Sequence, residues 1–494
     1  MPQGRDLTTG SIASALLLFA LPTLGSSILQ SANGSIDAVW VGRLLGENAL
    51  AATTNGNLIM FMLTAFVFGF GMAATILIGQ AIGRRDMTGA KEVVGTAIGT
   101  FAPVALIIAV AGWLVAPQVL ALLGTGPEIT PLARDFLRVT FIAMPAMLMQ
   151  TMIMMALRGA GDSITPLIFM AVAVVLDVVL NPVFILGMGP VPEMGIGGSA
   201  FAMAVANYIS LVAMLIYIYA SRNPLRLHRD ELHLLRPARS VLRLMVGKGL
   251  PIGIQMVVVS SAMLTMMTLV NSEGVDTTAA FGATQQLWTY VQMPAMALGA
   301  AVSAMAAQNI GAGNWDRVSQ ITRMGLVFNI LLTGGLVVAL FFVDHLALGF
   351  FLGADSPAIA IGQHILRVAT WGFIAFGVTM VLFGTIRANG QVVWPVVILF
   401  ISLYPVRLGV AYGLREWLGV DALWVSFPVA MVATMIMAIG LYLQGGWRRS
   451  TAMARLDDAE AAPAMSISSE AGSPISPRNP QIPPAQACER IDQV

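Results

Sequence analysis

Charge is what this 494-residue chain has least of. Only 10% of its residues are Asp, Glu, Lys or Arg, while 57% are hydrophobic; a soluble globular chain carries about 25% charge. The runs Asn48–Gly83, Val93–Pro127, Thr277–Trp315 and Ala422–Trp447 contain none of the four. Each is long enough to cross a hydrocarbon core, which takes about 20 residues of helix. Cysteine is nearly missing: the lone Cys488 excludes an intrachain disulfide framework and a cysteine-based metal site, and no metal site is expected. Strict two-residue alternation is absent, which argues against a β-barrel. No basic tract resembles a nucleic-acid surface, the formal net charge being +1. No G-x-x-x-x-G-K-[ST] loop is present, so ATP is not implied. No nucleophile–base pair stands within the apolar runs, which speaks against an enzyme.

What the chain does have is a repetition. Gly79-Gln80-Ala81-Ile82-Gly83 returns as Ala307-Gln308-Asn309-Ile310-Gly311, an offset of 228. Arg158-Gly159-Ala160-Gly161, with Pro166 behind it, returns as Arg387-Ala388-Asn389-Gly390 with Pro395, and Ala20-Leu21-Pro22 returns as Gly249-Leu250-Pro251, both at an offset of 229. A duplicated half in a very apolar chain is a common build for a secondary transporter, with substrate handled between the halves. Twelve spans are expected, at 12–42, 48–80, 91–123, 128–157, 163–187, 195–220, 241–271, 277–308, 318–352, 357–386, 391–414 and 420–446. The expected fold is all-α and integral to the membrane, with twelve transmembrane helices in two pseudo-symmetric six-helix lobes. The N-lobe is 1–220, a cytoplasmic loop follows at 221–240, the C-lobe is 241–446, and 447–494 is a tail too poor in apolar residues to fold. Arg and Lys gather in the loops after even-numbered spans, which places both termini in the cytoplasm and the two halves the same way up.

Two acids in the apolar spans stand out as candidates. Asp37 lies in the first, where a carboxylate costs about 2.5–3.5 kcal/mol on insertion scales. Such a group serves either as a coupling site, neutral in one state and charged in another, or as a structural hydrogen-bonding acid at the helix end. Asp177 lies in the apolar run Phe169–Leu180 and is either its partner carboxylate or a lock between helices. Asn33 precedes Asp37 by one turn and Asn181 follows Asp177 by one turn, each on its acid's own helix face. Asn55, Asn57 and Asn207 are candidates to complete a polar cluster in the first half. Met60, Phe61, Met147 and Gln150 are candidates for a cavity suited to bulky apolar cations, with packing as the plainer role for any one of them. Pro22 breaks the ladder of the first span and is either a hinge or a fixed bend. Arg407, after Pro405 in the eleventh span, needs a partner; a backbone carbonyl or helix end would suffice, giving it a structural role.

Ser35-Ile36-Asp37-Ala38-Val39-Trp40-Val41-Gly42-Arg43-Leu44, followed by Leu50-Ala51-Ala52, resembles the end of helix 1 in multidrug and toxic compound extrusion (MATE) transporters. The Gln80/Gln308 and Arg158/Arg387 signatures and Leu180-Asn181-Pro182-Val183-Phe184-Ile185 resemble that family as well, over roughly residues 10–446. The prokaryotic branch like DNA-damage-inducible protein F is the nearest in pattern. The resemblance implies an antiporter of amphiphilic, often cationic drug-like compounds, working by alternating access in a bacterial inner membrane as a monomer. No cofactor is implied beyond a coupling ion, proton before sodium. Two departures stand out. The family's fifth helix often has Asn first and Asp four residues later, whereas here Asp177 precedes Asn181. The seventh and tenth spans also lack the acids that hold sodium in some branches. A lipid-linked precursor flippase of the same superfamily, which would need an Arg-lined cavity, and an uncoupled channel or receptor are the alternatives.

Overall fold

The computed structural model describes residues 6–122, 129–188, 192–353 and 355–449; in the second helix the side chains of Glu47, Ala51, Thr54, Asn55, Leu58 and Met62 lie outside that description. All regular structure among the described residues is helical. The first half runs α1 Ile12–Leu45, α2 Glu47–Gly83, α3 Met87–Leu122, α4 Thr130–Gly159, α5 Ile164–Leu186 and α6 Gly195–Ala220. A short 3-10 turn, Arg229–Leu235, lies in the connector to the second half. The second half runs α7 Arg239–Asn271, α8 Val275–Gly311, α9 Trp315–Leu352, α10 Ala358–Ala369, α11 Gly372–Ala388, α12 Val393–Ile401, α13 Arg407–Gly413, α14 Arg415–Leu418 and α15 Asp421–Gln444. Eleven spans are long and apolar enough to cross a membrane, and α10 with α11 supplies a twelfth, bent by 48°. Continuous helix is what an apolar solvent demands, because every backbone N–H and C=O must be satisfied within the segment.

Two spans depart from the expected single helix, for local reasons. The tenth breaks at Thr370–Trp371. Thr370 Oγ1 accepts a 2.9 Å bond from Trp288 Nε1, and Gly372 sits so close to α15 that a Cβ there would lie 2.9 Å from the Pro428 Cα. The eleventh carries a π-turn at Ser402–Val406, where Pro405 has no N–H to continue the α ladder. Helical structure also runs slightly past the expected start of the tail. Gly446–Arg449 forms a 3-10 turn with Trp447 buried, stacked on Tyr442 with ring centroids 5.4 Å apart, its carbonyl bonded by the Asn389 amide. The remainder of the tail, 450–494, lies outside the described residues.

The repeated signatures meet at one end of the molecule, the end that holds the start of α1 and the connector. Gln80 Nε2 donates to the Ala388 carbonyl at 2.6 Å, and Gln308 Nε2 donates to the Gly159 carbonyl at 3.1 Å. Gly159 and Ala388 are themselves repeat partners, so each half closes on the other with the same bond. Between them α2 and α8 cross almost backbone to backbone: a Cβ on Gly83 would lie 1.9 Å from the Gln308 carbonyl oxygen, and one on Gly311 would lie 2.1 Å from that of Gln80. The N-terminal segment straps this closure. Leu7 N donates to Gln308 Oε1 at 3.1 Å, and Asn309 Nδ2 donates to the Leu7 carbonyl at 3.0 Å.

Candidate coupling site

α1 and α5 lie side by side and run the same way, because their contact pairs advance together along both. Asn33 Nδ2 donates to Asp177 Oδ2 at 2.8 Å, and four residues on, Asn181 Nδ2 donates to Asp37 Oδ1 at 2.9 Å. Asn33 Nδ2 also reaches Asp37 Oδ2 on its own helix, at 3.2 Å. Asp177 and Asn181 are buried, at 2% and 0% exposure, whereas Asp37 and Asn33 are half-buried. The reversed order in α5 has a direct consequence. With parallel helices in this register, acid faces amide in both rows; the opposite order would set Asn33 against an amide and Asp37 against an acid. The four residues stand at the corners of a square in which acid and amide alternate, joined by three hydrogen bonds with the Asp177–Asn181 side open, and one amide nitrogen bridges both carboxylates.

The square is rich in acceptors. Asp177 Oδ1, Asn33 Oδ1 and Asn181 Oδ1 are buried with no hydrogen-bond partner. Buried polar groups are normally paired, and here every orphan is an oxygen. Chemically, such a set accommodates a proton on a carboxylate, which turns one acceptor into a donor, or a small cation. Among the described residues no group of three His, Cys, Asp or Glu is arranged to hold a metal ion.

The other expected residues fall elsewhere. Gln150 is buried, with Nε2 donating 3.0 Å to Ser210 Oγ, which donates 2.7 Å to the Phe169 carbonyl; it ties α4, α6 and α5 together and does not join the square. Asn207 turns back on its own helix, donating 2.7 Å to the Met203 carbonyl. Both follow from a strong local acceptor within reach of the amide. Asn57 and Phe61 are exposed on α2, Met60 is buried and Met147 half-buried, while the Asn55 side chain lies outside the described residues. Pro22 sits inside an unbroken α1. The Leu18 carbonyl that it leaves unpaired has the Ser163 hydroxyl at 3.5 Å. Arg407 has no carbonyl partner at all. Its guanidinium stacks on Phe427, Cζ lying 3.6 Å from the ring centroid, in a part of the second half that sequence reading left without a role.

The MatE family profile matches this chain twice, over residues 22–183 and 251–413. The probable multidrug resistance protein YoeA of Bacillus subtilis (strain 168) is 33% identical over 441 residues, 89% of this chain and 95% of that protein. The probable multidrug resistance protein YpnP of the same organism is 30% identical over 90% of this chain and 97% of its own length. Among solved structures, an outward-facing multidrug resistance MATE transporter of the MOP superfamily superposes with a TM-score of 0.81 at 20% identity, covering 91% of this chain and 98% of that one. With two profile matches in the order of the internal repeat and near-full-length relatives at 30% and 33% identity, the chain belongs to the MatE family of multi-pass membrane transporters for multidrug efflux.

Proposed function

We propose that this protein is a proton-coupled antiporter that exports amphiphilic, drug-like compounds, many of them cationic, from a bacterial cytoplasm across the inner membrane. The observation that carries this reading is the acid–amide square of Asp37, Asn181, Asp177 and Asn33 with its three unpaired oxygens. Taking up one external proton lowers the negative charge of the square by one and supplies a further donor for its unpaired oxygens. The bond that Asn33 divides between two carboxylates is then redistributed along α1. Pro22, fifteen residues toward the closed end, is the place where α1 has the weakest ladder and where such a change is taken up as a bend. Release of the proton to the cytoplasm restores the acceptor-rich square and readies the protein for the next substrate. Sodium is the less favoured ion, because the square offers two carboxylates and the seventh and tenth spans offer none. The positive-inside bias puts the Gln80/Gln308 closure on the cytoplasmic side, so the conformation described is shut toward the cytoplasm.

The flippase reading needs several Arg facing one cavity for a pyrophosphate. Only Arg407 lines the C-lobe cavity; the Arg367 side chain is 68% exposed, 3.9 Å from Asp344. The test is ethidium efflux from everted vesicles driven by a proton or a sodium gradient, for native protein and Asp37→Asn. Proton-driven efflux that disappears in the variant is expected. Efflux of equal rate in the variant, or movement that responds to neither gradient, overturns the reading.

A further inference from the structure

The C-lobe cavity, of about 250 Å³, lies between α7, α8, α11, α15 and the π-turn. Holding a single water takes at least about 10–15 Å³ of such space, so the cavity has room for several waters or a small organic group. Its walls are aromatic: Trp288 packs 5.1 Å from Phe427 and 5.5 Å from Phe373, centroid to centroid. Its polar groups are few, with Gln285, Gln292 and Thr379 among them, and its only charged group is Arg407. That residue is 6% exposed, and its Nε and Nη2 are buried with no hydrogen-bond partner. No Asp or Glu lines the cavity. Three acids elsewhere in the C-lobe are engaged, Asp344 by Gln363 at 2.8 Å, Asp421 by His364 at 2.7 Å and Glu273 by Arg415.

The position of Arg407 is not arbitrary. Pro166 and Pro395, in the first turn of the fifth and eleventh spans, fix the repeat offset at 229 there. The π-turn Ser402–Val406 accommodates one extra residue, since its bonds close five residues apart instead of four. Beyond it the offset becomes 230, and the family matches agree, starting at 22 and 251 but ending at 183 and 413. At an offset of 230, Arg407 stands where Asp177 stands in the N-lobe. The C-lobe has put a fixed cation at the place where the N-lobe keeps a titratable acid, and has supplied no protein anion to match it.

We infer that the C-lobe cavity is a binding site for an organic anion, a planar or aromatic body lying against the wall that Trp288, Phe373 and Phe427 form, with its carboxylate or phosphate on the Arg407 guanidinium. A guanidinium presents a planar fork of donors that fits either oxyanion, and a mostly apolar pocket with a few fixed polar groups is how small-molecule sites are built. The inference adds a substrate class to the transporter reading above, but it is tested by binding without any gradient, so either can fail alone.

The experiment titrates the purified full chain in phosphatidylcholine nanodiscs with anthracene-9-carboxylate and its isosteric amide, anthracene-9-carboxamide, following tryptophan quenching. The native protein is expected to bind the carboxylate at least tenfold more tightly than the amide. Arg407→Gln abolishes that selectivity while still binding the amide, and Arg407→Lys keeps part of it. Arg407→Gln also loses the guanidinium's contact with Phe427 and so should melt somewhat lower; retained affinity of the folded variant for the amide separates that packing loss from loss of the anion contact. Repeating the titration in nanodiscs with added phosphatidylglycerol identifies the source of the anion: competition that needs Arg407 makes it a lipid phosphate, and no competition makes it a soluble anion. Equal affinity for acid and amide in the native protein, or selectivity that survives in Arg407→Gln, overturns the inference. The first of these needs no variant to fold.

Discussion

The two halves share their scaffold and differ in their interiors. At the closed end they are interchangeable: Gln80 and Gln308 make the same bond to repeat-related carbonyls, and Gly83 and Gly311 make the same close approach. Midway along the spans the likeness stops. At the repeat offset of 229, the counterparts of Asn33 and Asp37 are Ala262 and Met266, both buried and apolar. The counterpart of Asp177, after the π-turn, is Arg407. The N-lobe interior is an excess of acceptors and the C-lobe interior an excess of donors. A duplicated fold thus keeps the contacts that both halves need for closure, and a handful of substitutions plus one inserted residue separates an acid-bearing interior from one that holds a buried Arg.

The strongest way to break this comparison is to remove the acids. Coupling free energies between sites are about 1–3 kcal/mol, or 5–150-fold, so Asp37→Asn and Asp177→Asn should each lower proton-driven efflux by about tenfold or more. Met266→Leu, at the C-lobe counterpart of Asp37, should change it by less than about twofold, since volume-conserving apolar swaps are well tolerated. Vesicle efflux rates normalised to protein content decide it. A Met266→Leu loss as large as that of Asp37→Asn would mean that the lobes are not specialised.

Next in size are the two glycines. A Cβ at Gly83 or Gly311 would meet a backbone carbonyl at 1.9 or 2.1 Å, and backbone cannot swing away as a side chain can. Gly83→Ala and Gly311→Ala should each cost the closed state about 1–3 kcal/mol, the usual price of overpacking. Thermal-shift midpoints in detergent should fall by similar amounts in both. A marked inequality would show that the closure is not shared evenly between the lobes. The hydrogen bonds of the same closure carry less: Gln80→Ala and Gln308→Ala should each lower stability by about 1 kcal/mol, the typical net worth of a hydrogen bond, with Gln308→Ala slightly the worse because its Oε1 also accepts from Leu7 N.

Most of this scaffold was legible in the sequence. Length and apolarity gave the twelve spans, and the repeat gave the lobes. The i, i+4 placement of Asn33 with Asp37 and of Asp177 with Asn181 put four polar groups on two faces. That those faces meet was not legible, because helices apolar all round carry no stripe to show which side packs where. For the same reason Gln150 and Asn207, polar and well placed along the chain, are spent on Ser210 and on the Met203 carbonyl. The break at Thr370–Trp371 and the π-turn at Ser402–Val406 arise from a tertiary approach of α15 and from Pro405, so composition alone read both spans as single helices. Arg407 was visible as an anomaly; its missing partner was not, because only the packed structure shows which acids are already engaged.

The smallest expected effect concerns the connector, which the N-lobe holds. Lys91 Nζ on α3 lies 2.7 and 2.9 Å from the two carboxylate oxygens of Glu231, which also accepts from His228 N at 2.9 Å. That backbone bond and the Lys91 ammonium hold the Glu231 carboxyl down at about 2, below its ordinary 4.5. A carboxyl depressed on folding stabilises the folded state fully above its unfolded value and loses that contribution as pH falls toward its folded value. Glu231→Gln should therefore lower the thermal midpoint at pH 7 by an amount worth no more than about 1 kcal/mol, as for other solvent-screened ion pairs. The gap between native protein and variant should hold steady from neutral pH down to the ordinary carboxylate range and narrow between about 4.5 and about 2. It should also shrink in high salt. A gap unchanged across that acid window would mean that the connector is held by shape and not by this charge, and that the N-lobe's grip on it owes nothing to the Lys91–Glu231 pair.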